Sequence, residues 1–526
     1  MFHFPFLKNR EQKKVGSKPP EPAGGTPAGR EYAAEILPDV NGNLSFLSNY
    51  FGNGIGLLES RYEFSESSLP FGLAYIDSIT DKKIIREDVL TPLLKYQGKV
   101  KEHGPDDILI FLQNRLISVM DTKLTTDMDE IIRNLVSGYS VLFLEGAASA
   151  ILIESRKVEK KAVEVPENET TVLGSQESFT DDLTTNTCLI LKRLPAPNLR
   201  FEEFRVGSLT KTEVELIWLD GIADPKIIEE ARKRIRKIEI DHIDGIGELA
   251  QLIEDQEWSV FPKFRQTERP DMTVRSMTDG RFAILCSNSP FAFVAPINLW
   301  DNFKTMDDYE DKHITSSYLR IVRYIAFFLA TLVSGIYLAF VTYNQVIIPP
   351  NFALNIAAGR EGVPLPSVLE LLLLSLIMTI IREAGLRMTS SVAYFVGTLA
   401  AIIIGQAVVT AGYVSASLII VVAVSTIASF AISTTTLLYP SRLLNYYFIL
   451  NAALFGIFGI VNALVILYWH LVSLSSFGVP YLYPILPFDK DGFKDTLIRF
   501  PFSMLKKRAK RLAPQNRVKV GESGIQ

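Results

Sequence analysis

The chain has 526 residues with a net charge of −4 and a mean hydropathy of +0.19. That length suits two to four domains, and the near-neutral charge argues against a nucleic-acid partner. Its two cysteines, Cys188 and Cys286, are far apart and outside any CxxC pair, so they suggest neither a disulfide framework nor a zinc site but two reduced thiols.

The average hydropathy hides a division. Between Tyr324 and Tyr481 only seven residues are Asp, Glu, Lys or Arg: Arg360, Glu361, Glu370, Arg382, Glu383, Arg387 and Arg442. Between Ser391 and Ser441 there are none. Helices of soluble domains need a solvated face, so this tract reads as one whose solvent is lipid.

In chain order, residues 1–30, rich in Lys, Pro and Gly, read as a disordered tether. The first residues, MFHFPFLKNREQKK, hold no apolar core long enough for a signal peptide. The soluble half is therefore expected in the cytoplasm. Residues 31–155 form a first subdomain, the charged stretch 156–176 a linker, and 177–319 a second subdomain. The two subdomains look like copies. FGLAYIDSITDKKIIRED (71–88) aligns with VELIWLDGIADPKIIEEA (214–231) at an offset of 143, and GYSVLFLEGAASAIL (138–152) resembles GRFAILCSNSPFAFV (280–294) at nearly the same offset. Each copy runs from an apolar strand through an Asp-containing turn into a helix. In the second, Asp224 is the expected N-cap, Pro225 the first helical residue, and Ile227, Ile228, Ala231 and Ile235 the buried stripe.

Residues 320–480 carry five apolar segments, at about 324–343, 366–381, 391–412, 415–439 and 446–471, and 481–526 form a basic tail. From Leu486 on, the tail has ten Lys or Arg against four Asp or Glu. By the positive-inside rule the tail lies in the cytoplasm, and Arg320 and Arg323 place the entry to the first helix there too. Both ends inside require an even number of crossings. The short, Pro-started second segment bearing Glu370 is the expected re-entrant one. The predicted fold class is an α+β soluble N-terminal half of two similar α/β subdomains, followed by an all-α transmembrane helix bundle.

Signs of an enzyme are absent from the pattern. There is no GxxxxGK[ST], and FGNGIG (51–56) lacks the spacing that cradles a pyrophosphate. The five histidines form no HExxH. No catalytic residue, cofactor or metal is expected. The acidic run Asp307, Asp308, Glu310, Asp311 reads as a solvated helix start. His470, beside Trp469, reads as an interfacial residue.

The apolar helices carry polar stripes. Ser425, Ser429, Ser433 and Thr436 fall on one face of the fourth segment; Gly397, Ala401 and Gly405 form a small-residue ridge on the third, with Gln406 and Thr410 beside it. Asn451, Phe455, Gly459 and Asn462 share a face of the fifth. Such stripes turn toward protein or water: either they pack helix on helix, or they line a water-filled path in which hydroxyls replace part of an ion's hydration shell. Glu370, Arg382, Glu383 and Arg387 are candidates for a gate or vestibule, or for an interfacial salt-bridge cluster.

At this point the motifs resemble a family: the A subunits of spore germinant receptors, the GerA family. The carrying residues are Pro197-Asn198-Leu199, Thr267-Glu268-Arg269-Pro270-Asp271, Asp279-Gly280-Arg281, Arg320 with Arg323, Arg382-Glu383-Ala384-Gly385-Leu386-Arg387, and Ser476-Phe477-Gly478-Val479-Pro480-Tyr481. Two departures from the family pattern stand out: Gly174-Ser175-Gln176 where Gly-Pro-Arg is usual, and Met388-Thr389 where Leu-Pro is usual. The resemblance implies a multi-pass subunit in the spore inner membrane that forms a homo-oligomer, a nutrient-gated ion channel triggering germination. It implies work beside a transporter-like B subunit and a lipoprotein C subunit. An accessory channel or scaffold of the same family, or a secondary transporter, is the alternative.

Overall fold

The computed structural model describes residues 36–51, 56–64, 69–96, 104–119, 121–156, 166, 169–171, 173–388, 390–512 and 515–519. The expected tether, 1–30, and much of the expected linker, 156–176, lie outside the described residues.

The first α/β unit holds α1 (Val40–Phe51), strands β1 (Leu57–Glu63), β2 (Pro70–Ile76), β3 (Thr122–Thr125), β4 (Tyr139–Leu144) and β5 (Ala150–Glu154), and α2 (Met128–Val136) before β4. The second holds α3 (Leu183–Arg193), β6 (Leu199–Val206), β7 (Thr212–Leu219), α4 (Pro225–Arg236), α5 (Ile246–Ile253), β8 (Arg265–Thr267), α6 (Pro270–Thr278), β9 (Phe282–Cys286) and β10 (Ala292–Ala295). Their sheets run β1-β2-β4-β5-β3 and β6-β7-β9-β10-β8. Because each strand of one sheet has its counterpart at the same place in the other, the repeat read from the sequence is a repeat of topology. All strand pairs in both sheets are antiparallel.

Local chemistry explains the elements. Asp224 caps α4, accepting from the amide of Lys226 at 3.0 Å, with Pro225 in the first turn; Ile227, Ile228, Ala231 and Ile235 are buried, as the periodicity predicts. Asp182 and Asp127 cap α3 and α2 in the same way. The units are not beads on a linker. One apolar core draws on both, joining Leu135, Val141 and Leu152 to Ile190, Leu199 and Leu285. The described part of 166–176 is pinned by the buried Arg269, which donates to the carbonyls of Glu169 (3.1 Å) and Ser175 (2.9 Å) while pairing with Asp271 at 2.6 Å.

The carboxyl of Glu215, on β7, accepts from the Thr187 hydroxyl of α3 at 2.6 Å. Burial outweighs that bond and pushes its carboxyl up to about 7. A folded value above the unfolded one lowers stability as pH rises from about 4.5 through 7. Glu215→Gln is therefore expected to raise the stability of the purified chain at pH 8 by on the order of 1–3 kcal/mol, and to change it little at pH 4. Denaturant melts at the two pH values check this; an equal effect at both would contradict it.

The helical half begins with α7 (His313–Thr342), continues through a short helix Pro350–Ala358 to α8 (Ser367–Leu386) and α9 (Ser390–Ile402), and passes a π-helical turn Ile403–Ala407. It ends with α10 (Ala416–Phe430) and α11 (Thr435–Ser473). Among the described residues, α7 and α11 are long and apolar enough to cross a bilayer, and α10 is a shorter apolar helix. Their outward side chains are apolar: Ile427 is 68%, Phe458 80% and Val465 61% exposed.

Three expectations change here. First, α8 is one uninterrupted helix, not a re-entrant loop. Its ends meet opposite ends of α10: Glu370 accepts from the amide of Ser415, and Arg382 donates to the hydroxyl of Ser429. Second, the fourth segment stops at Phe430, so residues 435–439 belong to α11. Third, the fifth segment reverses. Gly456 takes φ 60° and ψ −137°, and the Tyr447 hydroxyl reaches the carbonyl of Ala463 at 3.5 Å, although sixteen residues of straight helix span about 24 Å. α11 is thus a hairpin with arms 435–455 and 457–473. Asn451, Phe455, Gly459 and Asn462 flank its bend, so they do not share a helix face.

The tail is not free either. Phe477, Val479, Tyr483 and Leu512 enter the core of the second unit beside Ile228, Ile246 and Phe282. Arg234 lies 4.6 Å over the Phe477 ring, and Asp255 accepts from the Phe477 amide at 2.6 Å.

Candidate functional site

The site is built in two places: a buried ionic clamp where the soluble half meets the bundle, and the polar parts of the bundle itself.

The clamp grows from the acidic run. Asp308, expected to be solvated, is 1% exposed. One carboxylate oxygen accepts from Nε (3.1 Å) and Nη2 (3.0 Å) of Arg320, and the other accepts from Nη1 of Arg323 at 2.7 Å. The remaining Nη1 of Arg320 donates to Asp495 at 3.1 Å and to the carbonyl of Thr496 at 3.2 Å. Tyr309 donates to the other oxygen of Asp495 at 2.8 Å. Lys304 bridges Asp301 (3.1 Å) and Asp495 (3.7 Å), and Arg281 holds Asp301 at 2.7 Å. Arg499 donates to the carbonyls of Asp308 and Asp311 at 2.5 and 2.7 Å. Strand β9, the 299–311 segment, the base of α7 and the C-terminal segment are thereby tied into one piece. The signal in the sequence was the pair of arginines three residues apart at the entry to an apolar helix. Asp495, which Arg320 holds, lies 175 residues away, beyond the reach of any local pattern.

The protonation of this clamp is stable. Burial alone would raise Asp495, but Lys304 and Arg320 outweigh it and hold the carboxyl well below the usual range. Asp301 is lowered in the same way, against burial, by Arg281 and Lys304. Lys304 is raised by Asp495 and Asp301 against its own burial. The lowered carboxylates contribute stability above an unfolded value of about 3.9, lost as pH falls through their lower folded values. The raised ammonium contributes below about 10.4, lost as pH rises past its folded value. Between about pH 4 and 10 Asp495, Asp301 and Lys304 therefore keep their charges.

In the bundle the predicted stripes part company. Ser425 donates to the carbonyl of Ala330 and accepts from Asn445, both at 2.9 Å, and Ser429 accepts from Arg382 at 2.9 Å. These hydroxyls join helices within the chain. Ser433 and Thr436 leave their stripe: Ser433 lies in the turn between α10 and α11, its hydroxyl against the carbonyl of Phe303 (3.4 Å), and Thr436 is in α11. On the third segment the reverse holds. Among the described residues a Cβ built on Gly397 or Gly405 meets nothing within 4 Å, and Gln406 and Thr410 are exposed. Gln406 also lies in the π-helical turn, a form that recurs at functional sites. The side chain of Ala401 lies outside the described residues.

The vestibule group is likewise divided. Glu370 is fully buried, 3.7 Å from Arg360. Arg382 follows twelve residues later, about 18 Å along the helix. Glu383 and Arg387 form an exposed pair at 2.9 Å. Arg382 instead shares a cavity of about 50 Å³ with Arg442, Ser334, Ser375, Thr426 and Asn445. Sequence reasoning missed Arg442. The clue available was that it is the sole Asp, Glu, Lys or Arg residue between Arg387 and Tyr481. His470, expected at the interface, hydrogen-bonds Ser259 of the second unit at 3.0 Å, while neighbouring Trp469 stays 74% exposed. No group of three or more His, Cys, Asp or Glu that could hold a metal occurs among the described residues.

A soluble α/β pair, joined by buried charge to a helical bundle with an apolar outer surface, defines a membrane protein. The profile described as Bacillus/Clostridium GerA spore germination protein matches residues 47–511. Uncharacterized membrane protein YfkQ of Bacillus subtilis (strain 168) is 35% identical over 474 residues, 90% of this chain and 91% of that one. Spore germination protein GerLA of Bacillus cereus is 35% identical over 436 residues, 83% of this chain and 88% of its own. Spore germination protein KA of Bacillus subtilis (strain 168) is 31% identical over 494 residues, 94% and 90% of the two chains. The crystal structure of the N-terminal domain of the A subunit of the Bacillus megaterium spore germinant receptor GerK3 aligns with a TM-score of 0.41 and 26% identity, over 50% of this chain and 97% of that one. The chain belongs to the GerA family of spore germination proteins, to which the resemblance in its motifs pointed.

Proposed function

We propose that this chain is the A-type subunit of a germinant receptor, that it assembles into a homo-oligomer in the spore inner membrane, and that the assembly is an ion channel gated by nutrient. The observation that carries the reading is the open face of α9 and the turn after it. Among the described residues a Cβ on Gly397 or Gly405 would meet nothing within 4 Å, and Gln406 is exposed in the turn that follows the apolar α9. A glutamine facing acyl chains is costly, so this face meets water or a second copy. Small residues allow close helix approach and leave room for a lumen.

In this reading α7, α8, the α9 arm, α10 and the two arms of α11 make six crossings. Both ends of the bundle then lie on one side, as the contacts Arg320–Asp495 and Ser259–His470 suggest. The basic C-terminal segment makes that side the cytoplasm. A transporter-like B subunit would supply the germinant site, and a lipoprotein C subunit would complete the receptor. Germinant binding would bias a two-state bundle through the clamp, because a load on the soluble half reaches α7 without slack.

Gly405→Leu tests this. It should cut cation release from germinating spores about tenfold or more, or shrink the purified oligomer, because a four-carbon side chain fills the close approach. Normal release together with a normal oligomer mass would refute it.

A further inference from the structure

Two guanidinium groups line one cavity in the bundle, and among the described residues no carboxylate lies within ion-pair distance of either, Glu383 reaching Arg442 only through space. Arg382 donates to the Ser429 hydroxyl at 2.9 Å and to the Thr426 carbonyl at 3.4 Å, both neutral acceptors. Nε and Nη2 of Arg442 are buried without a hydrogen-bond partner, and so are Ser334 Oγ and Asn445 Oδ1 in the same cavity. Among the described residues neither arginine takes part in an ion pair, and the nearest acidic residue in sequence, Glu383, is held by Arg387. Two unneutralised cations beside hydrocarbon are costly, and buried polar atoms are ordinarily satisfied. The cavity, about 50 Å³, exceeds the 10–15 Å³ one water needs.

The level of the cavity indicates what fills it. The turn before α11 rests on the soluble half, with Thr434 donating to the carbonyl of Asn302 at 3.3 Å. Arg442 follows eight residues later, about 12 Å along the helix. A headgroup layer is about 5–8 Å deep, so the long guanidinium side chains sit just beneath its inner edge, within snorkelling reach of a headgroup. The mouth is at the outer surface: Arg382 lies 4.5 Å over the ring of Phe430, itself 68% exposed. We propose that Arg382 and Arg442 form a binding site for a phosphate-bearing anion, entered from the side of the bundle just beneath the inner edge of the headgroup layer. Guanidinium forks match phosphate oxygens two by two, and basic pockets between helices on the cytoplasmic side suit phospholipid headgroups. The site does not rest on the channel reading. It asks only that the bundle be embedded.

The test is made on the full chain in mild detergent. In native mass spectrometry with added phosphatidylglycerol, the wild type should retain the lipid. Arg442→Gln should lower retention about tenfold, and the double variant with Arg382→Gln should abolish it. Arg442→Lys should keep most of it, and Arg387→Gln, at an exposed pair, should change it less than about twofold. A second arm titrates delipidated protein with inorganic phosphate and follows its melting temperature. A shift there with no lipid retention assigns the site to a free anion, and lipid retention with no shift assigns it to the headgroup. Absence of both in the wild type, or retention in the double variant equal to wild type at unchanged elution volume, would overturn the proposal. If the double variant does not fold, the Arg442→Gln and Arg442→Lys pair decides by the same comparison.

Discussion

Asp308→Asn is expected to destabilise the chain by about 3–5 kcal/mol, the largest effect of any isosteric change in the soluble half. The substitution keeps shape and volume but removes the charge that two arginines share, Arg320 through two contacts and Arg323 through one. Arg320 is completely buried, so no solvent replaces what is lost. Glu310→Gln, in the same acidic run but exposed, should cost less than about 0.5 kcal/mol. Adding Arg323→Met to Asp308→Asn should recover part of the loss, because it removes the stranded cation. The readout is thermal unfolding of the detergent-purified chain, with limited proteolysis near residue 312 as a local probe. If Asp308→Asn melted together with Glu310→Gln, the clamp would contribute nothing, and the coupling assigned to it would fall with it.

The second large effect is at the bend of α11. Gly456→Val should destabilise the bundle by about 2–5 kcal/mol, from backbone strain and overpacking together. The backbone there has φ 60° with ψ −137°, outside the left-handed helical region that other residues tolerate. A Cβ would also come within 2.9 Å of the Cβ of Tyr343, at the far end of α7. Spin labels at residues 435 and 472 report the reversal. A straight helix would hold them about 55 Å apart, whereas the hairpin returns both ends to the soluble half. The wild type should give the short distance and the Gly456→Val variant a longer or broader one. A wild-type separation near the straight-helix value would remove the hairpin, and with it the even count of crossings.

The positive-inside rule leads to an even number of crossings, and the reversal that this proposed topology calls for falls at a place other than the one expected. Charge placed both ends of the bundle on one side, so one more reversal than five segments supply was needed. The shortest, most polar segment was assigned it. Glu370 made that segment look unfit to span, yet the carboxylate is fully buried against Arg360 and the amide of Ser415, so α8 stays continuous. The reversal sits instead at Gly456, inside an apolar stretch with no Asp, Glu, Lys or Arg from Leu443 to Tyr481. Hydropathy reports what surrounds a helix and not which way it runs, and one glycine among several carries no mark until a neighbour such as Tyr343 presses on it.

The stripes teach the same lesson at finer grain. Ser425 and Gly405 looked alike as small or polar residues on apolar helices. Packing gives the first to Ala330 and Asn445 and leaves the second bare. Asp308 and Glu310 likewise differ only in which side of a short helical turn faces Arg320.

Residue order alone determined the properties that repeat or accumulate along the chain: the duplicated α/β unit, the capped and striped helix at Asp224, the division between charged and uncharged halves, and membership of the family. These follow from local periodicity and composition, which a chain displays without folding. Tertiary structure decided which charges are paired, which polar face is left open, where the last helix turns back, and that the basic end is part of the core. Each of these depends on partners that belong to different elements, some of them more than a hundred residues apart, such as Arg320 and Asp495 or Tyr343 and Gly456, and the cost of burying a charge or a bare polar atom is set by those partners.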